Sequence, residues 1–171
     1  MGVALGCIID NERRDNIMEK IIFMNGSPNK SGNTFRIGEE ILKGVNHDIL
    51  QMSDYKISQY GQVYEDDQIN EIFKKLEDVN TIVIGAPVYW YTVSGIVKTF
   101  IDRLYLLPEA EVLRGKNLYF FAQGSAPDEA TVKSITFLAT RVSELMGMNL
   151  KSVVVDSSDG SKIIDTMNIN E

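Results

Sequence analysis

Cysteine and histidine are almost absent from this chain of 171 residues, which contains one residue of each type. The lone Cys7 cannot form an internal disulfide framework, and it cannot supply the several thiolates of a cysteine-based zinc or iron–sulfur site. His47 by itself argues against a histidine metal site and against a Ser–His–Asp triad, and we expect it on a solvated loop. A chain so poor in cysteine fits the reducing cytoplasm, which is the location that we expect.

Long apolar runs and an excess of positive charge are also missing. No stretch is long enough to span a bilayer as a helix, so we expect no membrane span. The net charge of −7 at pH 7 argues against nucleic acid or an anionic membrane as a main partner. Residues 1–17 lack the basic start of a secretion signal, and we interpret them as an N-terminal extension. A single domain then covers residues 18–171.

The stretch from Ile21 to Thr34 combines a short apolar run with a loop of small and hydroxylated residues. The run has the length of a buried strand, and a helical pattern follows the loop. A loop between a strand and a helix N-terminus presents unpaired backbone N–H groups at the positive end of the helix dipole, and such sites bind phosphate. The candidate phosphate ligands are Ser27, Asn29, Ser31, Asn33 and Thr34, and Lys30 adds a nearby positive charge.

Two common nucleotide motifs do not fit this loop. A Walker A motif has four residues between its glycines and a lysine after the second, whereas five residues separate Gly26 from Gly32 and Asn33 follows. The Gly-x-Gly-x-x-Gly dinucleotide fingerprint is absent as well. A loop of hydroxyls without that lysine suits a phosphate that is held and not transferred, such as the 5′-phosphate of FMN. The alternative is an ordinary β–α turn that is rich in N-capping residues.

Strand-like and helical patterns alternate along the rest of the chain, which predicts an α/β fold with a parallel sheet and right-handed crossovers. The predicted strands are residues 21–24, 48–52, 81–86, 118–122 and 150–155. Parallel sheets bind ligands at the carboxyl ends of their strands. In a five-stranded sheet of order 2-1-3-4-5, the loops after the first, third and fourth strands converge at that edge. These loops are Ser27–Thr34, Pro87–Gly95 and Gln123–Pro127.

Three segments, Gly26–Thr34, Gly85–Trp90 and Ser94–Arg103, together resemble the NADPH-dependent FMN reductase family of flavodoxin-like proteins. The resemblance covers about residues 20–155 of the chain. It implies a flavodoxin-like three-layer sandwich around the five-stranded sheet. It also implies FMN as the cofactor and NAD(P)H as the co-substrate.

The resemblance implies a role for each of the three converging loops. The side chains of the first loop would hold the FMN phosphate. Pro87, Val88, Tyr89 and Trp90 would run along the isoalloxazine and ribityl groups, and Gln123, Gly124 and Ser125 would reach the pyrimidine edge of the ring. The iron–sulfur branch of the family carries a cysteine cluster after the second strand. Residues 55–67 contain no cysteine, which excludes that cluster, and Tyr55, Tyr60 or Tyr64 could cover the flavin instead.

The resemblance implies an oxidoreductase that passes hydride from NAD(P)H through bound FMN to a quinone, flavin, nitro or azo acceptor. Hydride transfer requires no acid–base side chain, so we predict no catalytic residue and no metal site. A flavodoxin-type electron carrier without reductase activity of its own is one alternative. A flavin-free interaction protein that retains the fold is another.

A homodimer is implied by the resemblance and has partial physical support in the sequence. The stretch Tyr89–Tyr91 and the helix after it hold more apolar side chains than one helix face can bury, and unpartnered apolar patches are unusual on monomers. Arg103 lies among them, as arginine often does at interfaces. The residues of that helix that we consider for the interface are Phe100, Leu104, Tyr105, Leu106 and Leu107.

Overall fold

A computed structural model describes residues 19–167 and residue 169. The N-terminal extension predicted for residues 1–17, with Cys7, lies outside the described residues. The elements are β1 (Ile21–Asn25), α1 (Asn33–Ile41), β2 (His47–Gln51), α2 (Ile69–Leu76), β3 (Thr81–Tyr89), β4 (Thr92–Val93), α3 (Gly95–Arg103), β5 (Asn117–Gly124), α4 (Glu129–Leu145), β6 (Asn149–Ser157) and α5 (Ser161–Thr166). Short 3-10 helices occupy Met52–Asp54 and Pro108–Leu113.

The sheet has the order β2-β1-β3-β5-β6, and all of these strands are parallel. This confirms the predicted order, because β4 is an additional two-residue strand that pairs only with β3 in antiparallel orientation. The inner strand β1 is buried along its whole length, as expected for a strand with helices on both faces of the sheet. The loops after β1, β3 and β5 therefore meet at one edge.

The helices cover the sheet from both sides and enclose two apolar cores. Helices α2, α3 and α4 bury their apolar sides in the larger core, and α1 and α5 bury theirs in the smaller one. In the smaller core the ring of Phe23 lies 6.1 Å from that of Phe121, and Ile163 of α5 is fully buried. None of the helices within residues 19–167 is both long enough and apolar enough to cross a membrane.

The segment predicted as the loop Pro87–Gly95 is instead mainly a β-hairpin, so that prediction was wrong. Strand β3 continues through Pro87 to Tyr89 and returns as β4, with Val88 opposite Val93. The turn residues Trp90 and Tyr91 have φ angles of 48° and 64°, which is the type I′ geometry of two-residue hairpins. That turn normally contains Asn-Gly, so the residues Trp-Tyr gave no signal for it in the sequence.

His47 is also placed differently from the prediction. It is the first residue of β2 and pairs with Ile21 of β1. Its side chain is only 13% exposed. Its Nε2 lies 3.0 Å from Oε1 of Glu39, and its Nδ1 lies 2.8 Å from the backbone oxygen of Val45. The ring therefore joins the end of α1 to the edge of the sheet.

A largely buried ion pair holds the irregular segment before α2 onto α3. Arg103 pairs with Asp67, and their side chains are 16% and 15% exposed. Burial raises the pKa of Asp67, but hydrogen bonds from Ser58 and Ile69, together with Arg103, outweigh it and lower the pKa to about 2. Arg103 also donates to the backbone oxygen of Ser58 at 3.1 Å. Because its guanidinium faces its own chain, Arg103 is not the exposed interface residue that we expected.

We predict that Arg103→Met lowers the free energy of unfolding at pH 7 by about 1–3 kcal/mol, because Asp67 loses a charged partner in a partly buried site. Arg141→Met is the matched control. Arg141 and Glu144 are half exposed, so its effect should stay within about 0.5 kcal/mol. Urea unfolding monitored by circular dichroism measures both. Equal midpoints for the two variants would contradict this role of the ion pair.

The same pair should make stability depend on acid pH. The folded pKa of Asp67, about 2, lies below its ordinary value of 3.8. The ionised carboxylate therefore stabilises the fold above about pH 4, and this contribution disappears as the pH falls through 2. The difference in unfolding free energy between the wild type and Arg103→Met should shrink over that interval.

Candidate functional site

The loop between β1 and α1 is folded by its own side chains. Oδ1 of Asn25 accepts from the backbone N–H of Ser27 at 3.1 Å. Oγ of Ser27 accepts from the N–H of Asn29 at 3.1 Å, and Oδ1 of Asn29 accepts from the N–H of Ser31 at 3.2 Å. Each side chain binds the backbone two residues ahead, as in Asx and Ser/Thr turns. The side-chain oxygens of this loop are therefore largely used as acceptors inside the loop.

Two buried hydroxyls of this loop keep a proton to donate. Ser27 is 5% exposed and Thr34 is fully buried. The oxygen of Ser27 accepts from Asn29, and Oγ1 of Thr34 accepts from Nε2 of Gln123 at 3.0 Å. A hydroxyl has one proton and can donate it while its oxygen accepts. Within the described part of the chain, neither proton has an acceptor.

The N-terminus of α1 adds backbone donors to these hydroxyls. No side chain caps this helix. The N–H groups of its first turn, those of Asn33, Thr34 and Phe35, have no acceptor inside the helix. Asn33 is exposed at the first helical position, with Ser31 exposed just before it. The loop and helix thus form a group of donors at the positive end of the helix dipole.

The positive charge expected from Lys30 is largely neutralised. Its Nζ lies 2.6 Å from Oδ1 of Asp54, and the Lys30 side chain is 63% exposed. The ion pair ties the loop to the 3-10 helix after β2. The donors that face the centre of the loop are therefore neutral hydroxyl and amide groups.

Three residues that the sequence analysis missed brace the loop from outside. Nε2 of Gln51 donates to the backbone oxygen of Ser27 at 2.6 Å, and Asn25 donates to Oε1 of Gln51 at 2.7 Å. Ser94 is buried, and its hydroxyl donates to the backbone oxygen of Gly26 at 2.7 Å. Ser94 is the N-cap of α3, and a serine before a helical pattern was the available signal. Nothing local in the sequence identifies Asn25 or Gln51.

Glycines allow the backbones of β1, β3 and α3 to approach one another at this edge. The N–H of Gly26 donates to the oxygen of Gly85 at 2.8 Å. A Cβ atom at Gly26 would lie 2.1 Å from Cγ2 of Val97 and 2.8 Å from the oxygen of Gly85. A Cβ atom at Gly85 would lie 2.4 Å from the ring of Phe121. No larger residue fits either position without moving its neighbours.

A cavity of about 260 Å³ lies between the β3–β4 hairpin and the loop after β5. Of the residues predicted to contact the flavin ring, Val88, Trp90, Gly124 and Ser125 line it. Pro87 is buried within β3, and Tyr89 is 48% exposed outside the lining. The full lining is Val88, Trp90, Tyr91, Gly124, Ser125, Ala126, Pro127 and Thr131. The structure therefore brings together only part of the predicted ring contacts.

Gln123 and the three candidate tyrosines differ from their expected positions. The Gln123 side chain is buried and points to Thr34 of the phosphate loop. The ring of Tyr60 packs edge-on against Tyr105, with ring centres 5.6 Å apart. Tyr64 lines a cleft beside Arg103, and Tyr55 packs against the larger core. Each of these side chains therefore has contacts away from the cavity beside the hairpin.

Comparison with protein families gives the decisive observation. The sequence profile described as NADPH-dependent FMN reductase matches residues 19–156. The chain belongs to this family. The cofactor of this family is FMN and its co-substrate is NAD(P)H, as the name of the family and the name of a relative indicate. The match begins just before β1 and ends within β6, so it includes all three loops of the candidate site.

Two relatives show what this FMN reductase family member resembles. An iron–sulfur flavoprotein of Archaeoglobus fulgidus is 36% identical over 96 residues, which cover 49% of this chain and 48% of the relative. The chain thus matches about half the length of that protein. The Bacillus subtilis protein YwqN, named for an NAD(P)H-dependent FMN-containing oxidoreductase, is 24% identical over 153 residues, or 80% of this chain and 83% of the relative.

A solved structure confirms the flavodoxin-like fold of this family member. An NADH:FMN oxidoreductase in its apo form superimposes with a TM-score of 0.64 at 18% sequence identity, covering 85% of this chain and 79% of the other. The iron–sulfur relatives mark a difference in chemistry. This chain has a single cysteine, which cannot supply the four thiolates of a typical cluster.

The donors of the loop between β1 and α1 are of the kind that suits the FMN phosphate. A phosphate monoester carries nearly two negative charges at pH 7 and offers only acceptor oxygens, so it needs donors, and the loop offers two hydroxyl protons and the N–H groups of α1. Hydroxyl and amide donors at a helix N-terminus are a common phosphate site. The glycines leave room for this close approach of the backbone.

We predict that Gly26→Ala lowers the free energy of unfolding by about 1–3 kcal/mol, as overpacking does, because its Cβ would overlap Val97 and the backbone of Gly85. Gly95→Ala is the matched control. A Cβ there meets nothing within 4 Å, and alanine at the start of a helix should be neutral or slightly stabilising. Thermal unfolding distinguishes them. A Gly26→Ala protein as stable as Gly95→Ala would show that the loop is not closely packed on α3.

Proposed function

We propose that this chain is an FMN-dependent oxidoreductase that passes hydride from NAD(P)H to a small acceptor such as a quinone, a flavin, a nitro compound or an azo compound. The observation that carries the proposal is the pair of buried hydroxyls, Ser27 and Thr34, whose oxygens already accept and whose protons have no acceptor among the described residues. Such donors at a helix N-terminus favour a ligand with a phosphate. The cytoplasm is the proposed location.

The phosphate end of the site would bind and orient the cofactor. Ser27, Thr34 and the first N–H groups of α1 would donate to the phosphate oxygens. Asn29 would act by holding the loop, since its oxygen accepts from Ser31. Ser31 and Asn33 are exposed at the rim, where they would donate to the outer phosphate oxygens. Hydrogen bonds to a charged group are worth about 1.5–3 kcal/mol each.

The cavity between the hairpin and the loop after β5 would receive the flavin ring. FMN, when bound, supplies the hydride chemistry, and the protein supplies orientation and exclusion of water. Val88 and Trp90 give the cavity an apolar side, and Gly124 and Ser125 give it a polar backbone side. Tyr91 also lines the cavity. Hydride transfer itself would need no proton from a side chain.

Removing both hydroxyl protons tests the phosphate assignment. We predict that the double variant Ser27→Ala/Thr34→Val binds FMN roughly 100-fold more weakly, since two hydrogen bonds to a charged group are lost. Its affinity for riboflavin, which has no phosphate, should change little. Ser134→Ala/Thr140→Val removes the same two groups from α4 and serves as the control. Fluorescence titration measures the dissociation constants of FMN and riboflavin for the wild type and both variants. Unchanged FMN affinity in the Ser27→Ala/Thr34→Val protein would exclude this site for the phosphate.

Steady-state oxidation of NADH and NADPH tests the reaction itself. The FMN-loaded wild type should oxidise at least one of them when a quinone or an azo dye is present. Tight FMN binding without oxidation of either nucleotide would favour the flavodoxin-type electron carrier. Absence of FMN binding would favour the interaction protein.

We further propose a homodimer formed through the C-terminal end of α3 and the residues after it. Leu106 is 80% exposed and Tyr105 is 63% exposed. Leu106 also adopts a positive φ of 55°, which directs an apolar side chain outward at some conformational cost. Leu106 lines a cleft of about 150 Å³ together with Leu107, Glu111, Leu145 and Met146. Such a patch on an isolated monomer would be unusual.

A charge in this patch should separate the subunits. We predict that Leu106→Asp converts the dimer to a monomer and exposes the flavin to solvent, because an aspartate cannot be buried unpaired in an apolar interface. Ile49→Asp introduces the same charge at an exposed residue of the edge strand β2 and should leave the dimer intact. Light scattering at micromolar concentration reports the mass. A monomeric wild type would refute the proposal.

A further inference from the structure

Gln123 is a buried polar residue of β5 whose side chain reaches the first turn of α1. It is the seventh residue of β5 and is 7% exposed. Its Nε2 donates to Oγ1 of Thr34, which is 89 residues away in the chain and lies in the first turn of α1. Its backbone pairs with Pro87 of β3 on one side and with Asp156 of β6 on the other. The side chain is therefore held by the centre of the sheet.

The conformation of Thr34 is fixed by two neighbours. Its methyl group packs against Gly85, where an added Cβ would lie 2.9 Å from Cγ2 of Thr34. Its hydroxyl oxygen lies against Gln123. Because the side chain of threonine has one rotatable bond before these atoms, both contacts together leave a single rotamer. The direction of the hydroxyl proton is then the remaining freedom.

The hydrogen bond from Gln123 removes most of that freedom. A hydroxyl oxygen that accepts a hydrogen bond on one side must point its own proton elsewhere. Thr34 lies in the first turn of α1, among the backbone N–H groups that have no acceptor inside the helix, so its remaining proton adds a hydroxyl donor to that group.

We propose that Gln123 is a positioning residue that keeps the Thr34 hydroxyl as a donor toward the phosphate and so sets the preference for phosphorylated over unphosphorylated flavin. This inference rests on the proposed function. The hydrogen bond to Thr34 takes the place of the contact with the pyrimidine edge of the flavin that we expected for Gln123, because Nε2 already donates to Thr34. Gln123 acts through Thr34 and does not itself touch the phosphate.

A double-mutant cycle tests this role. The proteins are the wild type, Gln123→Met, Thr34→Val and the combination, and methionine keeps the length of glutamine without its hydrogen bond. Dissociation constants are measured for FMN and for riboflavin by fluorescence. Riboflavin binding shows that each variant retains a folded site. Gln59→Met, at an exposed position, is the matched control.

Gln123→Met should lower the preference for FMN over riboflavin by about three- to ten-fold, as expected for one neutral hydrogen bond that no longer orients a donor. In the Thr34→Val background the same change should have no further effect on that preference. An effect of equal size in both backgrounds, or equal losses for FMN and riboflavin, would overturn the inference. A wild type that binds FMN no better than riboflavin would instead overturn the phosphate site of the proposed function.

The variant Gln123→Glu adds a second test, because a purely structural role of Gln123 predicts no dependence of its effect on pH. At pH 8 the introduced carboxylate would accept the Thr34 proton and repel the phosphate, so FMN preference should fall at least ten-fold. At low pH the protonated carboxyl can donate as the amide does. The preference of the variant for FMN over riboflavin, expressed relative to that of the wild type at the same pH, should therefore recover. A loss that does not vary with pH would contradict the assignment.

Discussion

The site depends on how hydrogen-bond acceptors are used around one short loop. Asn25, Ser27 and Asn29 each accept from a backbone N–H two residues ahead, and Thr34 accepts from Gln123. These bonds fold the loop and occupy the side-chain oxygens of the four residues as acceptors. The hydroxyl protons of Ser27 and Thr34 and the first N–H groups of α1 then remain as donors. A dianion with only acceptor oxygens is the ligand that such a loop favours, even though Lys30 is already paired with Asp54.

The parallel sheet makes this arrangement rigid. Every brace of the loop comes from another element at the same edge: Gln51 from β2, Gly85 from β3, Ser94 from α3 and Gln123 from β5. These residues are distant in sequence and meet because parallel strands end together. The hairpin of β3 and β4 and the loop after β5 enclose a cavity at the same edge of the sheet. This edge thus carries both a group of donors and a cavity with apolar and polar sides.

Most of the fold could be predicted from local patterns. The apolar runs predicted the five parallel strands, and their order places the three candidate loops at one edge of the sheet. The phosphate site expected at the hydroxyl-rich loop stays a prediction. The hairpin was missed because Trp90 and Tyr91 are unusual in a type I′ turn. The bond between Gln123 and Thr34 and the pair of Arg103 with Asp67 could not be predicted, since each joins residues far apart in sequence. Burial of His47 depends on its pairing in β2, which its neighbours do not reveal.

The central claim is that hydrogen-bond donors of the loop after β1 bind the FMN phosphate. The pKa of the phosphate in bound FMN tests this claim most directly. A free phosphate monoester loses its second proton near pH 6, and a site made of donors favours the dianion and lowers that pKa. The phosphorus-31 resonance of FMN bound to the wild type should therefore stay constant between about pH 5 and 8, at the position of the dianion. A bound phosphate that titrates near pH 6, as free FMN does, would contradict the account.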